Sequence, residues 1–109
     1  TNKIVVGDAK DADGNIAESF KNGKMSLDVT VYSSDKATKK VILAIYEGKM
    51  LTDVKIKEIN STVNELTFDF NVGNAAETTG KVMCWENDMH TPVCEPNCLE
   101  NLIVPVNFR

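Results

Sequence analysis

Several things are scarce in this 109-residue chain, and each shortage removes a class of protein. Proline occurs 3 times and glycine 6 times, too few for an internal linker or a low-complexity tract. The longest apolar run, Val41-Ile42-Leu43-Ala44-Ile45-Tyr46, has the length of a strand and falls far short of the roughly 20 residues of a membrane helix, so no membrane span is expected. Lys39-Lys40 is the sole basic dipeptide, and the net charge of −4 with a pI of 4.9 excludes the basic face that nucleic acid binding requires. There is one histidine, and the 3 cysteines are odd in number, which argues against a scaffold built on disulfides. Aromatic residues make up only 6%.

What remains is an ordinary globular balance, 42% apolar and 26% charged, in a length that serves one hydrophobic core. The dominant pattern is alternation with period two, the mark of strands with one buried face. Met25, Leu27, Val29 and Val31 alternate with polar residues, as do Leu66, Phe68 and Phe70; these positions are predicted to face the core. Residues 41–46 are apolar on both faces and read as a central strand. Glu47-Gly48-Lys49 supplies a hairpin turn with glycine where a positive φ is needed. The second arm, residues 50–60, has Leu51, Val54 and Ile56 as apolar anchors, and their uneven spacing predicts a bulge near Thr52-Asp53. Residues 3–9 and 80–86 read as further strands. The polar connection 11–24 carries Ile16 and Phe20 as plugs over the core, and residues 102–108, Leu102 to Phe108, read as a last strand that Pro105 confines to an edge or bulge. About seven short strands separated by turns make a sandwich or a barrel.

The order of a strand from Met25 to Val31, then Val41-Ile42-Leu43-Ala44-Ile45-Tyr46-Glu47-Gly48-Lys49-Met50-Leu51, then Leu66 to Phe70, then Gly80-Lys81-Val82-Met83-Cys84-Trp85-Glu86-Asn87 resembles a recurring module of Gram-positive bacteria. It is similar to the immunoglobulin-like or fibronectin-III-like accessory modules of clostridial cell-surface proteins and polysaccharide-degrading enzymes. The likeness covers residues 25–95; the segment from Asn97 to Arg109 departs from it. The resemblance implies an immunoglobulin/fibronectin-III-like two-sheet sandwich of about seven strands and a secreted or cell-surface location. It further implies a non-catalytic structural, spacer or interaction role, with no catalytic residues. No signal-peptide pattern is visible before Ile4-Val5-Val6, and the given sequence starts and stops beside strand-like segments. The expectation is therefore one sandwich domain over residues 1–109, excised from a larger multi-modular protein whose neighbouring domains are its first partners.

Candidate chemistry is thin. His90, Cys94 and Cys98 lie close in sequence, with Cys84 as a fourth donor; zinc accepts such a set, but the spacings are not those of common fingers or ribbons. A Cys94–Cys98 disulfide or unliganded loop thiols are the alternatives. A Cys–His nucleophilic pair would need an oxyanion hole, and no motif supplies one. Asp8, Asp11, Asp13-Gly14 and Asn15 suggest a calcium loop, but a loop centred on Asp13-Gly14 puts Ala9 and Phe20 at its first and last ligand positions, which breaks the motif; local hydrogen bonds within a solvated turn explain the same residues. No cofactor is implied beyond that calcium alternative. Trp85, Tyr46 and Tyr32 are the aromatic residues relevant to sugar stacking, which makes a carbohydrate-binding module accessory to a polysaccharide-degrading enzyme the second functional reading; Trp85 covered by the loop 90–97 is the plainer one. A third is a protein partner engaged through an edge strand, residues 102–108. No two of the 16 acidic residues stand out as a glycosidase pair.

Overall fold

The structure, a computed structural model, describes residues 2–93 and the strand Asn97–Leu99. Two antiparallel sheets face each other. The first contains β1 (Lys3–Lys10), the two-residue β2 (Ile16–Ala17), β3 (Gly23–Tyr32) and β6 (Val63–Val72), in the order β2-β1-β3-β6. The second contains β4 (Lys39–Glu47), β5 (Met50–Ile59), β7 (Thr78–Glu86) and β8 (Asn97–Leu99), in the order β5-β4-β7-β8. A short 3-10 turn, Ala75–Glu77, joins β6 to β7 and is capped by Asn74, whose Oδ1 accepts the Ala76 N–H. With β2 set aside, the chain lays its strands in the two-sheet pattern of the immunoglobulin and fibronectin-III sandwiches. Among the described residues no helix is long and apolar enough to cross a membrane.

The alternating residues do what their period requires. Met25, Leu27, Val29 and Val31 of β3 are buried, as are Phe68 and Phe70 of β6, and Leu66 is partly buried against the same cluster. They meet Val41, Leu43, Ile45, Val82 and Cys84 from the facing sheet. Phe68 stands opposite Leu27 in the β3–β6 ladder. β4 is a central strand with β5 and β7 on either side. Gly48, at φ +60, takes the first of the two turn positions between Glu47 and Met50, which face each other, as a two-residue hairpin of this hand demands.

Two bulges keep the pattern in phase. Thr52 is the extra residue of β5, because Ile45 pairs with Asp53 and Tyr46 with Leu51; its Oγ1 donates to the Ile45 carbonyl. In β1, Gly7 and Asp8 together oppose Asp28, so Val6 and Ala9 both point inward although three residues apart. Gly7 approaches β3 so closely that an added Cβ would lie 3.3 Å from the Asp28 carbonyl oxygen.

The predicted core role of Leu51, Val54 and Ile56 is overturned. They are 50%, 42% and 54% exposed. Register decides this: Val54 pairs with Ala44 and Ile56 with Ile42, the β4 residues that point away from the core, and residues opposite each other share a face. The inward row of β5 is Asp53, Lys55, Lys57 and Ile59, of which only Ile59 is buried. In the 11–24 connection Phe20 is buried, edge-on to Phe70 with ring centroids 6.2 Å apart. Ile16 is 62% exposed, and its neighbour Ala17 is the buried one, because β2 pairs with β1 so that Ala17 sits beside the buried Ala9. The expected strand 102–108 lies outside the described residues.

Candidate functional site

The three aromatic residues do not converge. Trp85 is half-buried near the end of β7, beside Lys40 of β4, on the outer face of its sheet. The hairpin that follows folds back beside it: Trp85 bridges to Pro92, and the Glu86 N–H donates to the Thr91 carbonyl. Tyr46 is on the same face but six residues along β4 from Lys40, about 20 Å away at the rise of a strand. Tyr32 belongs to the outer face of the other sheet, at the end of β3, with the Lys3 ammonium 5.3 Å from its ring centroid. A stacking platform needs aligned rings on one surface, and these three offer single rings at three places.

Of the metal candidates, the described pair Cys84 and His90 lie apart. Cys84 is sealed in the core between the sheets, on the inward row with Val82, as its alternation predicts. His90 is exposed in the hairpin after β7, its backbone N–H donating to Asp88 Oδ1. The Cys98 backbone stands opposite Lys81, and Cys94, with the Cys94–Cys98 disulfide, lies outside the described residues. Among the described residues no group of three His, Cys, Asp or Glu is placed to hold a metal ion. In the acidic stretch, one Asp11 carboxylate oxygen accepts the N–H groups of both Asp13 and Asn15, and the Gly14 N–H donates to the Asp11 carbonyl. These are the local hydrogen bonds of a solvated turn, formed by the Asp11 side chain with the backbone that follows it.

Two further features have no counterpart in the local pattern of residues. The first is an open groove of about 480 Å³ lined by Asp11, Lys24, Ser26, Lys55, Asp69 and Asn71. The β3–β6 register sets Lys24 against Asn71 and Ser26 against Asp69, while Asp11 arrives from the turn after β1 and Lys55 from the other sheet. The groove mixes donors and acceptors without an aromatic surface, since Phe70 turns its ring into the core. No nucleophile and base are joined by a hydrogen bond in it.

The second is Lys39, which is buried although charged. It occupies an inward position at the start of β4, and its stem lies under the 33–38 connection. Its ammonium donates to the Asp35 carboxylate and the Ala37 carbonyl, and the Ala37 N–H donates to Asp35 Oδ1. The Lys39 hydrogen bond, aided by the Ala37 N–H, holds the Asp35 carboxyl below its ordinary value of 3.8. A carboxyl with a lowered value in the folded state stabilises the fold at and above its ordinary range. That contribution is lost as pH falls through the lowered value. Thermal melts between about pH 2 and pH 7 are therefore expected to show a loss of stability below about pH 4, and the loss should be shallower in Asp35→Asn. Parallel profiles for the two proteins would detach Asp35 from the acid response.

No family model matches the chain, and no curated protein or solved structure is significantly similar to it.

Proposed function

We propose that this chain is a non-catalytic structural or spacer module that holds the neighbouring domains of a secreted or surface-attached bacterial protein apart. The observation that carries the reading is where the first and last described strands meet the ends of the sandwich. β1 begins at Lys3, opposite Tyr32 at the end of β3, the pole at which the Ser33 N–H donates to the Thr62 carbonyl. β8 ends at Leu99, opposite Gly80, which itself faces Ile45 near the far end of β4. Between these poles lie strands of up to ten residues, about 33 Å of stiff extended chain around a closed core. The bacterial and secreted or surface setting rests on the resemblance of residues 25–95.

Tandem copies of the chain, joined end to end and measured by X-ray scattering at low concentration, test this. The maximum dimension is expected to grow by a constant increment of about 30 Å per copy. An increment near zero, with copies folded side by side, would remove the spacer reading. The carbohydrate reading is tested on the same material: a saturable change in Trp85 emission on titration with polysaccharides would replace the spacer by a sugar-binding module.

A further inference from the structure

We infer that the free edge of β6 is a docking strand for an extended segment of another protein, one whose side chains alternate between basic and acidic. β6 pairs with β3 through an unbroken ladder from Val63 to Val72, and no described strand lies on its other side. Asn71 shows which backbone groups face that side. Its N–H turns away from β3 and donates to Asp53 Oδ2 of the other sheet. Peptide groups alternate between the two flanks of a strand, so the N–H and C=O groups of Glu65, Thr67 and Asp69 point the same way as that of Asn71. Among the described residues nothing bonds to these backbone groups.

The two edge strands on this flank are guarded differently. β5 carries the bulge at Thr52 and the inward charges of Lys55 and Lys57, devices that block the addition of any strand. β6 has no bulge, proline, glycine or lysine. Its guard is charge of one sign. Glu65 and Asp69 are exposed on its outer row on either side of Thr67, whose hydroxyl donates to the Asp28 carboxylate. Neither Glu65 nor Asp69 belongs to an ion pair. A second copy of β6 laid antiparallel about Thr67 would set Glu65 against Asp69 on both sides of the axis, and like charges directly opposite are destabilising. The edge therefore turns away its own kind and leaves the backbone open to a cationic strand.

Charge specifies both rows of that strand. Side chains on its outer row stand opposite Glu65 and Asp69, where lysine or arginine makes a favourable cross-strand pair. Side chains on its inner row stand over the flank between the sheets, where two cations reach across from β5. The Lys57 ammonium lies 5.8 Å from the centroid of the Phe68 ring, and Lys55 lines the open groove beside Asp69. A carboxylate on the inner row meets these two. Main-chain hydrogen bonds to Glu65, Thr67 and Asp69 then hold the segment, while the two rows of side chains select it, as in strand addition generally.

A blocked peptide with the core Lys-Glu-Thr-Glu-Lys between Val-Thr flanks is the probe, titrated into the labelled protein and followed by amide NMR and hydrogen exchange. The Glu65, Thr67 and Asp69 amides are expected to shift saturably, with half-saturation between about 10 µM and 1 mM, and to exchange at least about tenfold more slowly when bound. Exchange at Leu66, Phe68 and Phe70, already bonded to β3, is expected to stay as it was. Thr67→Pro removes an edge donor without touching the β3–β6 ladder, a change edge strands accept, and is expected to weaken binding at least about tenfold. Glu65→Lys combined with Asp69→Lys is expected to weaken it by a similar factor of about ten, and to gain binding of a peptide whose lysines are replaced by glutamate. This second variant decides the matter should Thr67→Pro fail to fold. The inference is overturned if the probe leaves the edge amides unmoved, or if folded variants bind it as the wild type does. Edge amides that become protected with rising protein concentration alone would overturn it too, by putting a second copy of the chain on the edge.

Discussion

Phe68→Ala is expected to cost about 3–5 kcal/mol of folding free energy. Phe68 is wholly buried at the middle of β6, opposite Leu27 and between the two sheets. Alanine leaves a void lined by side chains from both layers, and β3 is held by an unbroken ladder to β6 and β4 by one to β7, so neither sheet collapses freely into it. Small domains have roughly 5–15 kcal/mol in total. The variant should thus keep at most a fraction of the stability, with a melting point lower by at least 10 °C or so. Urea denaturation gives the number. A loss under about 1 kcal/mol would mean that the aromatic ring is not the filler between the layers.

Leu43→Asp is expected to abolish the folded state at neutral pH. Leu43 is wholly buried in β4, with Lys55 of β5 and Val82 of β7 as its neighbours in the ladders. A carboxylate there has no route to water except past the whole edge of the sandwich, and the effective penalty for an unpaired buried ion is several kcal/mol. Circular dichroism should lose the strand signal. Leu43→Met, of similar volume, should cost less than about 1.5 kcal/mol and retain it. A folded Leu43→Asp protein with near-native melting would show that Lys55, on the same row, swings in to pair with the new charge, and that the centre of this sheet is more open than its burial indicates.

The core was legible because alternation is a local property. Met25, Leu27, Val29 and Val31, and Phe68 with Phe70, announce their buried face without any knowledge of what lies opposite. Gly48 and the Thr52 bulge were legible for a related reason: a hairpin's turn and its phase error are written within a dozen residues. Leu51, Val54 and Ile56 were misread because apolar character alone does not say which face of a sheet is covered. Their side is set by pairing with Ala44 and Ile42, and therefore by the turn and the bulge acting together. Ile16 was misplaced likewise, since one residue of register exchanges it with the buried Ala17. The groove beside Asp69 and the buried Lys39 ammonium are tertiary products. The first assembles side chains from four separate segments, and the second depends on the 33–38 connection turning back over the start of β4. Tyr32 is parted from the other two by topology, which sends β3 and β4 to opposite sheets, and Tyr46 from Trp85 by six residues of β4.

That topology also decides how the molecule would respond to pulling. β1 runs from one pole towards the other, and β8 runs in the same sense on the neighbouring sheet. Tension applied at Lys3 and drawn off beyond Leu99 therefore acts along the strands, and the rungs that hold β1 to β3 and β8 to β7 are sheared together instead of being peeled one at a time. The two clamps are unequal. β1 is anchored by a ladder running from Lys3 to Lys10, while β8 holds β7 through three paired residues. Of the described strands, β8 would slip first, and the remainder of the sandwich would yield only after it.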